Sequence, residues 1–217
     1  KIAASLAILR VRPTEPPQIA SRLVMLKDAR VRQASWSRSF LAPSRITSIS
    51  GGAGKEHSYA LEVLSAVIGG STTSQIYRSI VIEQKLAVSA GTSYSSSPQG
   101  PSRFTFYASP SVGVSIKTLE KAIDTEIATL LKNGVAEEDV KRVKISMNAQ
   151  ATYARDSLSA GAMSIGSALV SGKSISDVEA WPHRIANVTV DQVNAAAQAV
   201  LKKRPSVSAL LQGEDEK

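Results

Sequence analysis

Cysteine is absent from this 217-residue chain, which excludes disulfides and thiolate metal sites and leaves the redox character of its compartment open. Histidine is almost as scarce, with only His57 and His183, far apart in sequence. A zinc-peptidase helix of the H-x-x-E-H type needs two His on one side and a Glu placed to activate a bound water. His57 is followed by Ser58, Tyr59, Ala60 and Leu61, so both partners are missing. A site built from both His and one carboxylate has no local spacing to hold its ligands. The plainer expectation places His57 on the exposed first turn of a helix and packs His183, after Trp181-Pro182, at a helix start.

Other chemistry is missing too. No G-x-S-x-G elbow marks a nucleophilic serine, and Gly69-Gly70-Ser71 is followed by Thr72. Glu137-Glu138-Asp139 and Glu214-Asp215-Glu216 are sequence neighbours, which suits a helix dipole and a solvated tail better than an acid/base pair. Gly51-Gly52-Ala53-Gly54-Lys55-Glu56 lacks the spacing and the hydroxyl of a phosphate loop, and Glu56 would repel phosphate. It reads as a plain flexible loop. No apolar run reaches the roughly 20 residues of a membrane-spanning helix.

Charge is present in excess, at +8, but unevenly. Residues 1–45 hold nine Lys/Arg against Glu15 and Asp28, whereas the other 172 residues hold 17 basic and 16 acidic side chains. A nucleic-acid surface pairs a basic face with aromatic platforms or a reading helix, yet aromatics make up only 5% and none interleave with the basic cluster. Nucleic acid is therefore not an expected partner. An apolar share of 43% is enough for a real core. KIAASLAIL resembles the core of a signal peptide but runs directly into Arg10 and Arg12 without a small-residue cleavage site. The expectation is an interdomain linker, the tail of an upstream domain, over residues 1–20, stiffened by Pro13, Pro16 and Pro17. A single domain over 21–212 and an acidic tail over 213–217 complete the division. An exported, periplasmic bacterial protein fits slightly better than a cytoplasmic one.

Periodicity predicts strands at 22–28, 32–40, 86–97, 102–109 and 206–211. Phe104 and Phe106 alternate inward against Arg103, Thr105 and Tyr107, and Ala34, Trp36 and Arg38 share one face. Helices are predicted at 55–69, after the caps Ser71–Ser74, and at 114–132, 136–155, 157–171, 177–184 and 191–201. Gly69-Gly70 and Asn133-Gly134 serve as C-terminal stops, and Thr189 or Asp191 as an N-cap. In the segment after Ser71–Ser74, Ile76, Ile80 and Glu83 share one side. Strands in adjacent pairs and helices in blocks predict an α+β fold, a largely antiparallel sheet with helices packed on one face.

RLVMLKDARVRQASWSRSFLAPS, YALEVLSAVIGGSTTSQIYRSI, the strand after LAVSAG, AEEDVKRVK and DVEAWPHRIANVTVDQVNAAAQAVL occur in an order that resembles the C-terminal half-domain of pitrilysin/insulinase-type, mitochondrial processing peptidase-like zinc metallopeptidases. The likeness runs from about Pro17 to Leu211. It implies a chain belonging to a clam-like peptide chamber, in which a C-terminal domain carries an Arg and a Tyr seven residues apart to hold the substrate carbonyl. Aligning Leu86-Ala87-Val88 with the family's Leu-Ala-Tyr puts Val88 at the Tyr and Val81 at the Arg. Valine can neither donate a hydrogen bond nor stabilise an oxyanion. The resemblance then implies no catalytic, cofactor or metal residue in this chain, with zinc in an upstream domain, peptide as substrate, and a homologous partner subunit carrying the Arg/Tyr pair. A subunit lacking both sites, or a stand-alone binding or scaffold domain without a proteolytic role, is the alternative.

Overall fold

A computed structural model describes residues 18–49 and 52–214. The sequence's first 17 residues, including most of the expected linker, lie outside the described part, as do residues 50, 51 and 215–217. Five strands form one sheet: β1 (Arg22–Lys27), β2 (Ser35–Ala42), β3 (Ala87–Tyr94), β4 (Ser102–Pro110) and β5 (Ser206–Gln212). Their order across the sheet is β1-β5-β2-β4-β3. Three of the four pairings are antiparallel, and β1 runs parallel to β5. The α+β architecture is as expected.

One expectation about pairing is corrected. β1 and β2 follow one another in sequence but do not form a hairpin, because β5 lies between them. The break after Lys27 is a tight turn in which the Asp28 carboxylate accepts from the backbone N–H of Arg30 and pairs with its guanidinium at 2.7 Å. That turn carries the chain past the place the last strand takes. β2 also begins later and ends later than expected, since Pro43 only then interrupts its ladder.

The core lies between the inner face of the sheet and the helices. Phe40, Phe104 and Phe106 form an aromatic cluster there, with Phe40 edge-on to Phe106 at 6.2 Å. Helix α1 (Ser58–Gly69), preceded by a 3-10 turn at Lys55–His57, buries Leu61, Leu64 and Ile68. Helix α3 (Ile116–Asn133) buries Leu119, Ile123, Ile127 and Leu130 at helical spacing. Gly134 ends α3 with φ of +73°, a left-handed value that glycine adopts without strain. Helix α4 (Glu137–Tyr153) starts with three acids, favourable at the positive end of the helix dipole. Helix α5 (Leu158–Val170) follows, and α8 (Val190–Leu201) opens with a capping box in which Thr189 and Gln192 bond each other's backbone.

The helix expected at 177–184 is two helices, α6 (Ile175–Glu179) and α7 (Trp181–Ala186). Ser174 and Asp177 form a capping box that starts the first one earlier, and Pro182, which lacks an N–H, sits in the opening turn of the second. Arg38, on the same face as Trp36, is held over the indole at 5.3 Å and bonded to Glu120 and Asp124 of α3. This ties the middle of the sheet to the helical layer.

Candidate functional site

Val81 lies between α1 and β3 and Val88 near the start of β3, the two positions to which the sequence resemblance assigns an Arg and a Tyr, and the backbone leading to them is unusual. Gly69 is needed for proximity: a Cβ there would lie 2.3 Å from the backbone nitrogen of Thr92. α1 ends at this pair as expected from sequence, with Gly70 as its C-cap in a right-handed conformation at φ −83°. The glycines also let the end of α1 press onto β3, where Thr92 donates from its hydroxyl to the Ser65 carbonyl at 2.8 Å.

Ser74 then precedes a short α-helical turn, α2 (Gln75–Tyr77), which continues as a π-helix over Arg78–Glu83. The Gln84 N–H donates to the Ser79 carbonyl five residues back, at 2.9 Å. Ile76 and Ile80 face the core as expected, whereas Glu83 does not share their side. The wider i→i+5 turn rotates it into solvent, where it meets Arg78 at 3.4 Å. Glu126 of α3 fastens the segment by accepting from Ser79 at 2.6 Å and from Gln75 at 3.3 Å. Lys85, left-handed at φ +56°, turns the chain into β3. Within this frame Val81 is half-buried against the core, and Val88 on β3 is 54% exposed. π-helical segments are rare and recur at functional sites.

The outer face of the sheet is lined by small and hydroxyl-bearing side chains. Cross-strand registers align Val24, Ala209, Ser37, Tyr107 and Gly91 in one row, and Arg22, Val207, Ser39, Thr105 and Ser93 in the next. Apart from Gly91, these residues are half-buried or exposed.

Neither histidine builds a metal centre. His57 is about one quarter exposed at 23%, more enclosed than expected, and stands 3.8 Å from the Glu56 carboxylate. His183 is in the first turn of α7, but its ring is exposed, 3.2 Å from the Asn187 amide, and not packed as expected. Among the described residues no three or more His, Cys, Asp or Glu side chains come together. The described residues therefore do not fit a zinc ion.

One polar cluster escaped the sequence reading. Glu62 accepts from the Trp181 indole N–H at 2.7 Å and from the Ser96 hydroxyl. Beside it, the guanidinium groups of Arg45 and Arg184 lie 5.3 and 5.6 Å from the Tyr59 ring, and both meet Asp177. The Ser174 backbone N–H, then the Arg184 guanidinium, hold the Asp177 carboxyl well below the usual carboxylate range. Burial, then the nearby Glu62 charge, pushes the Tyr94 hydroxyl up. These residues are dispersed from 45 to 184, and no local spacing marks them. They clamp α6 and α7 to α1, a structural task.

Comparison with known proteins follows this geometry. The family model described as the Peptidase M16 inactive domain matches residues 4–147. No curated protein matches the chain. Among solved structures, a protease from Helicobacter pylori superposes with a TM-score of 0.80 at 18% identity, over 94% of this chain and 47% of that one. The first half of the periplasmic protease PqqL from Escherichia coli gives 0.72 at 15% identity, over 94% and 44%. A peptidase M16 inactive domain from Pseudomonas fluorescens gives 0.69 at 19% identity, over 95% and 46%. The chain thus spans about half the length of these proteins. Neighbours this distant establish the fold, and the family model, covering well over half the residues, establishes the lineage: the chain belongs to the M16, pitrilysin/insulinase-type peptidase family as one of its inactive, C-terminal-type domains.

Proposed function

We propose that this domain is the non-catalytic C-terminal part of a zinc metallopeptidase subunit, shaping the peptide chamber and joining a homologous partner subunit. The observation that carries the reading is the match to an inactive-domain family model, joined to side chains that depart from the pattern the resemblance implies. Val81 lies in the π-helix and Val88 on β3, where the family resemblance locates an Arg and a Tyr. Without a hydrogen-bond donor at either position, a substrate carbonyl receives no electrostatic help there. The outer face of the sheet, rich in Ser and Thr and carrying Arg22 and Arg103, supplies a polar wall for an extended peptide, and any peptide that this domain holds adds along a sheet edge. Zinc belongs to an upstream domain bearing the H-x-x-E-H motif, joined through residues 1–20, with residues 213–217 as an acidic tail. The partner subunit supplies the Arg/Tyr pair.

The test has two arms. The purified 217-residue chain is expected to bind no stoichiometric zinc and to cleave no peptide in a quenched-fluorescence library. The complete gene product, mixed with its partner, is expected to cleave in a chelator-sensitive manner. Chelator-sensitive cleavage by the chain alone, or an open reading frame without an upstream zinc motif, would overturn the proposal.

A further inference from the structure

Polarity divides the two faces of the sheet. Toward the helices the strands present Trp36, Phe40, Phe104 and Phe106, whereas the outward residues are mostly Ser, Thr and aliphatics. On β4 burial alternates: Ser102, Phe104, Phe106 and Ala108 are buried, with Arg103 and Tyr107 exposed between them. The outward strand residues include two charged side chains, Arg22 and Arg103, and no carboxylate.

β5 and β2 separate Arg103 from β1, the strand that follows the undescribed residues 1–17. Its cross-strand partner is Leu41, and the next row holds Ser39, Thr105 and Ser93. The Ser39 and Thr105 hydroxyls bond each other at 2.9 Å. None of these neighbours can neutralise a guanidinium. Tyr107 turns to β3, its phenolic oxygen 2.6 Å from where a Cβ of Gly91 would stand. Among the described residues nothing bonds to the Arg103 side chain or pairs with it. Other arginines are answered by acids: Arg38 by Glu120 and Asp124 on the inner face, Arg45 and Arg184 by Asp177. Arg103 is thus an open cation in an otherwise uncharged stretch of the outer face.

We propose that Arg103 is a specificity-determining residue of this wall, selecting peptides that carry an acidic side chain where the extended chain passes β4. The inference rests on the reading of the sheet as a chamber wall. A peptide strand added beside β3 lies two strand spacings, about 10 Å, from β4. The outward residues between them, Gly91 and Ser93, are small, so an arginine and a glutamate reaching toward each other close that gap. The hydroxyls accept a peptide of any charge, whereas the guanidinium attracts a carboxylate and repels an ammonium. An exposed pair of this kind is weak, so it gives a graded preference and not exclusive recognition.

The experiment uses the full 217-residue chain and three fluorescein-labelled octapeptides of one Val/Thr/Ser sequence, differing only in a central Glu, Gln or Lys. Anisotropy is expected to show the Glu peptide bound about threefold more tightly than the Gln peptide and the Lys peptide about threefold less, both differences fading at high salt. The chain carries +8 overall and attracts any acidic peptide, so Lys121→Gln, on the exposed side of α3, measures that general attraction. It should leave the ratios nearly intact. Arg103→Gln should bring the three affinities close together, Arg103→Lys should keep the order, and Arg103→Glu should reverse it. All four variants exchange exposed side chains and should melt like the parent. If Arg103→Glu folds poorly, the Gln and Lys variants decide. Binding of none of the three peptides would overturn the wall reading and this inference with it. Equal binding of all three, or a preference that Lys121→Gln removes as fully as Arg103→Gln, would overturn the inference and leave the wall reading standing.

Discussion

Gly69→Ala isolates the close contact between α1 and β3. In an isolated helix the change is favourable by about 0.8–1.0 kcal/mol, because alanine loses less backbone entropy on folding. Here the new Cβ would lie 2.3 Å from the Thr92 backbone nitrogen, 2.5 Å from its hydroxyl oxygen and 2.8 Å from the Gly91 carbonyl carbon. Ordinary contact begins near 3.4 Å, so α1 and β3 must separate by roughly 1 Å. Two of the three atoms are backbone and cannot rotate away. Overpacking of this kind costs about 1–3 kcal/mol, and the shift also loosens the buried bond from Thr92 to Ser65, worth about 1 kcal/mol. The net loss is about 1–3 kcal/mol after the helical gain. For a domain of this size that lowers Tm by about 3–10 °C. Gly166→Ala is the control, since α5 leaves open space around its Cβ position. It should be neutral or stabilising by up to about 1 kcal/mol. Thermal and urea unfolding followed by circular dichroism would measure both. A Gly69→Ala protein as stable as the parent, or equal losses for the two variants, would refute the steric account.

Other outcomes follow from named contacts. Glu62→Ala leaves the Trp181 indole N–H and the Ser96 hydroxyl without their shared acceptor and should cost about 2 kcal/mol, with a red shift of tryptophan emission as α7 loosens. Asp177 has its carboxyl pKa depressed in the folded state, so its stabilising contribution is present above the unfolded value, about pH 4, and is lost as pH falls through the lower folded value. Asp177→Asn should therefore flatten the acid limb of an unfolding-versus-pH curve and leave its slope above about pH 5 unchanged. Val88→Tyr, at an exposed strand position, should change stability by less than about 0.5 kcal/mol, whereas Val81→Arg, packed against the core, should cost about 1–3 kcal/mol. Equal tolerance of the two would contradict their assigned burial.

Sequence by itself determined the α+β class, the inward alternation of Phe104 and Phe106, the Thr189 cap and the family likeness. Each rests on neighbours within one turn or one strand, where spacing alone sets which face a side chain takes. Tertiary structure decided the rest. β5 enters between β1 and β2 although nearly the whole chain separates it from them, because a parallel pairing depends on where the last helix delivers the strand and not on local turn residues. Gly69 ends α1 as its sequence indicates, but the close approach of Thr92 that requires a glycine there comes only with the fold. Glu83 leaves the core face because the π-helix changes the period on which the helical reading depended. The clamp of Glu62, Arg45, Asp177 and Arg184 is assembled from distant segments, so no spacing could announce it. Val81 and Val88 were visible as residues from the start. Their different burial, one half-buried beside the core and one open on β3, came only with the fold that places a π-helix against a strand.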